Sequence, residues 1–149
     1  MQKSVQIANI ETKIKHFRRK ADHNKRESLW SFKLIMLSTI TVPILIAYGP
    51  DDFWSKLIPS VFSGLSAFFT AWIQLRKPNQ LWTLYRTAQR QLESELELYQ
   101  GSAGEYKDEN LKDTLLVEKT NKIYLSVNSV WTSLVPNHKD LDNVAKKKN

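Results

Sequence analysis

The 149-residue chain has no cysteine, only four glycines and five prolines. Without cysteine there can be no disulfide framework, no thiolate metal site and no thiol nucleophile. With so little glycine and proline, and with Leu, Lys, Glu and Gln abundant, helix is favoured over sheet. Catalytic signatures are missing too. The chain has no glycine-rich phosphate loop, nucleophile elbow or dinucleotide fingerprint. His16, His23 and His138 are far apart, with no i,i+4 pair. Glu93, Glu95 and Glu97 are spaced by two, which turns neighbours about 200° apart on a helix, so they read as a solvated ion-pair face. The expectation is a non-enzyme with no cofactor and no metal.

Charge is scarce in one place only. Residues 1–33 carry a local charge of +6 and residues 76–149 of +2, whereas residues 34–75 contain one Lys and two Asp. Inside that middle lie two apolar runs. Leu57 to Leu75 is nineteen residues without a charge, close to the ~30 Å of a bilayer core at ~1.5 Å per residue. Leu34 to Tyr48 is shorter, and reaches spanning length when extended back to Ser28 past Lys33, whose side chain can snorkel to the headgroups. Trp30, Trp54 and Trp72 fall where interfacial aromatics anchor. Between the runs, "AYGPDDFWS" holds a helix stopper, a turn and two carboxylates.

The pattern predicts an all-α membrane protein: a two-span helical hairpin with cytoplasmic amphipathic helices on both sides, assembled as a homo-oligomer in membrane lipid. The expected order is a basic amphipathic helix over 1–27, a first span over 28–48, an outer turn over 49–53 and a second span over 54–75. A helical pair over 79–100 and 108–135 and a polar tail over 136–149 complete a single domain, 1–135, with its tail. Lys25, Arg26 and Lys33 precede the first run and Arg76 and Lys77 follow the second, so the positive-inside rule puts both termini in the cytoplasm. Polar sequence before the first run, with no small-residue cleavage site after it, argues against a signal peptide.

Polar and small residues within the runs are ordered. Ser63, Ser66, Thr70 and Gln74 are spaced 3, 4 and 4, and Ser38 and Thr41 lie one turn apart. Ser60 with Gly64, and Ser63 with Ala67 and Ala71, give small-xxx-small spacing. Two readings stand: helix packing within one hairpin, or a wet face lining a pore, with Phe68 or Phe69 as a hydrophobic gate.

Outside the spans, Ile7, Ile10, Ile14, Phe17 and Ala21 form an a/d seam. Lys15, Arg18, Arg19, Lys25 and Arg26 are candidates for contact with a signal or with anionic headgroups. Leu81, Tyr85, Ala88, Leu92, Leu96 and Tyr99 form one stripe, closed by Gly101 and Gly104. Asp108 is placed to cap the next helix, with Leu116, Ile123, Val127, Val130 and Leu134 on its buried face and Pro136 as its stop.

A two-span hairpin followed by "LYRTAQRQLESELELYQGSAGEY" and "LLVEKTNKIYLSVNSVW" resembles the SLATT domain, the SMODS- and SLOG-associating two-transmembrane effector. The features that carry the resemblance are Tyr85, Arg86, Leu92, Glu95, Leu96, Tyr99, Gly104, Tyr106, the Leu116–Val117–Glu118 step and Trp131. The family often has an acidic residue shortly before that Trp, where this chain reads "SVNSV". The resemblance implies a pore-forming effector of bacterial defence in the cytoplasmic (inner) membrane. Such an effector depolarises the cell on an infection signal, often a nucleotide second messenger from a partner nucleotidyltransferase or sensor protein. It brings no catalytic residue. The competing expectations are a non-conducting membrane adaptor and a soluble bundle that binds nucleic acid through its basic first third.

Overall fold

In the computed structural model, residues 2–135 are described, and every regular element among them is helical. The expected tail, with Pro136 and His138, lies outside these residues. Helix α1 is Gln2–Tyr48, α2 is Ile58–Arg76, α3 is Pro78–Gln100 and α4 is Lys112–Leu134. A π-helical turn, Phe53–Leu57, precedes α2, and a 3-10 turn, Gly104–Lys107, separates α3 from α4. The chain forms two compact units, Lys25–Pro78 and the residues on either side of it. Helix α1 contributes to both.

In the flanking unit, the first half of α1 packs with α3 and α4. Phe17 and Ala21 of α1 join Leu81, Tyr85, Ala88 and Leu92 of α3 and Val127 of α4 in one cluster. Ile10, Leu96, Tyr99, Tyr106 and Leu116 form a second. All six residues of the expected α3 stripe are buried. Full burial of each such Leu stabilises by roughly 1.5–3 kcal/mol. Val130 departs from expectation and is exposed. The buried side of α4 runs instead through Lys112, Leu116, Thr120 and Val127.

The connection from α3 to α4 also departs from the sequence reading. The left-handed residue that closes α3 is Ser102, with φ 47°, and the Ala103 N–H reaches back to the Leu98 carbonyl at 2.9 Å. That pattern puts the left-handed turn one position beyond Gly101. Gly104 is the second positive-φ position, with φ 60°. Asp108 does not cap α4, which starts at Lys112 after Leu111. Its carboxylate accepts from the Asn110 N–H at 2.9 Å and its carbonyl from the Lys112 N–H at 3.0 Å, so it builds a turn ahead of the helix.

In the central unit the turn after α1 depends on Gly49. A Cβ there would lie 2.6 Å from the Leu45 carbonyl oxygen and 2.8 Å from the Ser55 nitrogen, contacts no other residue could make. Asp51 then caps the next turn, accepting from the Trp54 N–H at 3.0 Å through its carboxylate. At the far end of α2, Lys77 adopts φ 47° immediately before Pro78. Proline disfavours the right-handed helical region for the residue before it, so the helix breaks there. Two sets of contacts join α1 and α2 in this unit. Trp72 Nε1 donates to Glu27 at 2.9 Å, and Arg76 lies 3.4 Å from the same carboxylate. Val42 and Ile46 share a crevice with Ser55, Pro59 and Ser63.

Candidate functional site

The central unit sorts its residues by size and polarity. From Lys25 to Lys77 the buried residues are Ser31, Ser38 and Pro59. On α2, Phe62, Ser66, Phe69 and Ile73 are half-buried at spacings of 4, 3 and 4. The six polar candidates are therefore divided. Ser38 is buried, Thr41 and Ser66 are half-buried, and Ser63, Thr70 and Gln74 are exposed. The Ser66 hydroxyl is buried with no hydrogen-bond partner. The two gate candidates part in the same way: Phe69 is half-buried, whereas Phe68 is 59% exposed.

On the open side of α2, Ser63, Thr70 and Gln74 fall within about 40° of one another at ~100° per residue. Beside them come Ser60, Gly64, Ala67 and Ala71, and then the bulky Val61, Leu65, Phe68 and Trp72. A Cβ at Gly64 would meet nothing within 4 Å. On α1, Trp30, Phe32, Leu37, Ile40 and Ile44 are exposed. Two helices are long and apolar enough to cross a membrane, and only 11% and 6% of their apolar windows are buried. The core helix of a soluble protein would be mostly buried.

In the flanking unit, the motif residues converge on α3 and the loop that follows it. Tyr106 is fully buried, and its hydroxyl donates to Glu95 at 2.7 Å. Lys119 closes the group, 3.1 Å from Glu105 and 3.6 Å from Glu95. Its pKa is raised, chiefly by the hydrogen bond to Glu105. Burial, helped by Glu95, also raises the Tyr106 phenol. Tyr99 donates to Asp113 at 2.6 Å, and burial together with that carboxylate pushes its pKa up to about 12. Arg86 reaches Asp22 at 2.6 Å and Gln89 at 3.0 Å, tying α3 to α1. These contacts link α3 to the loop after it, to α4 and to α1. Trp131 stands apart from them and is 40% exposed.

The family described as "Protein of unknown function (DUF4231)" matches residues 12–114, which is 103 of the 149 residues. The chain belongs to this family. Neither a curated protein nor a solved structure matches it. The DUF4231 match takes in all six polar candidates, both Phe candidates and the motif residues from Tyr85 to Tyr106, whereas Leu116, Val117, Glu118 and Trp131 lie beyond it. Most of α4 lies beyond it.

The basic residues of α1 fall into two groups. Lys15, Arg18, Arg19, Lys25 and Arg26, the candidates for signal or headgroup contact, are all exposed. Lys13, His16 and Lys20 lie on a different face, beside Phe17. There a cleft of about 240 Å³ opens between α1, α3 and α4, lined by His16, Phe17, Lys20, Tyr85, Tyr124, Val127, Asn128 and Trp131. Lys13 sits 5.5 Å over the Tyr124 ring and Lys20 5.3 Å over the Tyr85 ring. Sequence reasoning missed this site. Its one legible trace is Tyr124, Asn128 and Trp131 at spacings of 4 and 3, next to the buried stripe of α4.

Proposed function

We propose that this DUF4231 chain is a SLATT-type membrane effector. In this reading residues 28–75 form an antiparallel two-span hairpin, and several copies assemble into a pore. The pore depolarises or permeabilises the bacterial cytoplasmic membrane when a signal, such as a nucleotide, arrives. SLATT-type domains are often DUF4231-like. Both termini are cytoplasmic in this reading, which places the "GPDD" turn outside.

The observation that carries the reading is the division of α2. Its bulky side, with Val61, Leu65, Phe68 and Trp72, suits lipid. Its small side, with Ser60, Gly64, Ala67 and Ala71, suits close approach of a second helix. Ser63, Thr70 and Gln74 lie beside the small side and would line a wet path once copies assemble; Phe68, on the lipid side, and Phe69, on the half-buried side, lie off that path. Thr41, Ser38 and Ser66 pack α1 against α2 and take no part in conduction.

Potassium flux from liposomes containing the purified chain tests this. Replacing Ser63 and Thr70 together by Leu should abolish flux while the protein stays inserted. Persistent flux in that double variant would overturn the assignment of the pore face. The second reading is a non-conducting adaptor, favoured by exposed Val117, Leu125 and Val130 on α4. It expects no flux from inserted wild-type protein under any signal.

A further inference from the structure

We propose that the cleft between α1, α3 and α4 is a nucleotide-binding site. It would take the base against Tyr124 and Trp131 of α4, and the phosphates against Lys20 and His16 of α1.

The cleft combines two features that a packed helical corner has no need of. First, its rim is aromatic and open: Tyr124 is 50% and Trp131 40% exposed, while Phe17 and Tyr85 beneath them are buried. Aromatic side chains left facing water offer stacking surfaces, and stacking tolerates any base because every base has a π face. Second, its charge has one sign. None of the eight lining residues is acidic, Lys20 is among them, and His16 adds a ring nitrogen for hydrogen bonding. Lys13 adds a further cation over Tyr124. Asn128, one helical turn from each aromatic, carries both a donor and an acceptor for a base edge.

A planar aromatic ring joined to an anion satisfies both features at once. A bare phosphate would use the cations and leave the aromatics idle, and a neutral aromatic would do the reverse. At about 240 Å³ the cleft falls just below the ~300–1,000 Å³ usual for small-molecule pockets. It therefore holds one base with its phosphates, and the rest of any larger nucleotide would project into solvent. Binding here is independent of conduction. Only its role as the gating signal rests on the proposed function.

The test is equilibrium binding of N-methylanthraniloyl-ATP to the full chain in detergent micelles, read by fluorescence anisotropy. Saturable binding is expected, displaced by ATP and not by tripolyphosphate at the same concentration. Tyr124→Ala should weaken it roughly five- to hundredfold, and Lys20→Gln by about tenfold or more. Tyr124→Phe and Lys20→Arg should retain most of it. Helical circular dichroism of each variant separates lost binding from lost fold. Three results would overturn the site: no binding to folded wild-type protein at millimolar probe, equal displacement by tripolyphosphate, or unchanged affinity in the folded Tyr124→Ala variant. Because no flux is measured, a non-conducting chain could pass this test and a conducting one fail it.

Discussion

Leu92 and Phe68 are both large apolar residues near the middle of a helix, and their surroundings are opposite. Leu92 is among the most buried residues of the flanking unit, surrounded by Phe17, Tyr85 and Val127. Phe68 faces outward from the central unit, while the serines Ser31 and Ser38 are the ones inside. In one unit the seam of α1 and the stripe of α3 are covered and, Lys112 apart, the charges are at least partly exposed. In the other, small and polar residues are covered and the apolar ones are outside. Water explains the first arrangement. The second suits the lipid surroundings proposed above, because between helices in lipid it is close packing of small residues that brings them together.

The largest expected effect breaks the comparison at its centre. Leu92→Ala should cost the flanking unit about 2–5 kcal/mol through lost burial and the cavity left behind. Phe68→Ala should leave thermal stability in detergent almost unchanged and weaken partition into membranes instead. Melting curves and flotation assays separate the two. If Phe68→Ala destabilised the fold as much as Leu92→Ala does, the outward face would be a buried one.

Alkaline pH should act on the flanking unit through Tyr99. Tyr99 ionises near 10 in the unfolded chain and near 12 in the folded one. Its contribution is complete below pH 10 and is lost as pH rises toward 12, because the unfolded state releases its proton first. A shift of two units corresponds to roughly 2–3 kcal/mol. Melting temperature should therefore fall over that window, and Tyr99→Phe should flatten the fall. An unchanged slope in Tyr99→Phe would assign the effect elsewhere.

Ser38→Leu should cost about 1–3 kcal/mol by overpacking the contact between α1 and α2. Leu37→Ile, one position away and exposed, should be silent. The smallest effect concerns Asp22, whose pair with Arg86 is partly solvated. Asp22→Asn should cost about 0–1 kcal/mol, less at high salt, in a denaturation series.

Much of this was legible because helical periodicity records burial. The six-residue stripe of α3 and the seam through Ile10, Phe17 and Ala21 could be read from spacing alone. The charge-poor middle likewise announced two apolar helices. What could not be read depends on which helices meet. Ser63 and Ser66 are alike in sequence and only three apart, but one is open and the other packed. Val130 continues the α4 spacing, but nothing packs over it. Asp108 has the chemistry of a cap and lies three residues too early. The cleft pairs Lys20 with Tyr124, more than a hundred residues apart, and only tertiary packing brings them together.

The absence of cysteine gives the most direct test of the central claim, that residues 28–75 form a hairpin crossing the membrane with its bulky side toward lipid. Single cysteines would be placed at Phe68, at Asp51 and at Lys107, and intact cells treated with a membrane-impermeant maleimide. The account predicts labelling at position 51 from outside, at position 107 only after permeabilisation, and at position 68 only after denaturation. Ready labelling at position 68 in an aqueous extract, with the chain in the soluble fraction, would contradict it.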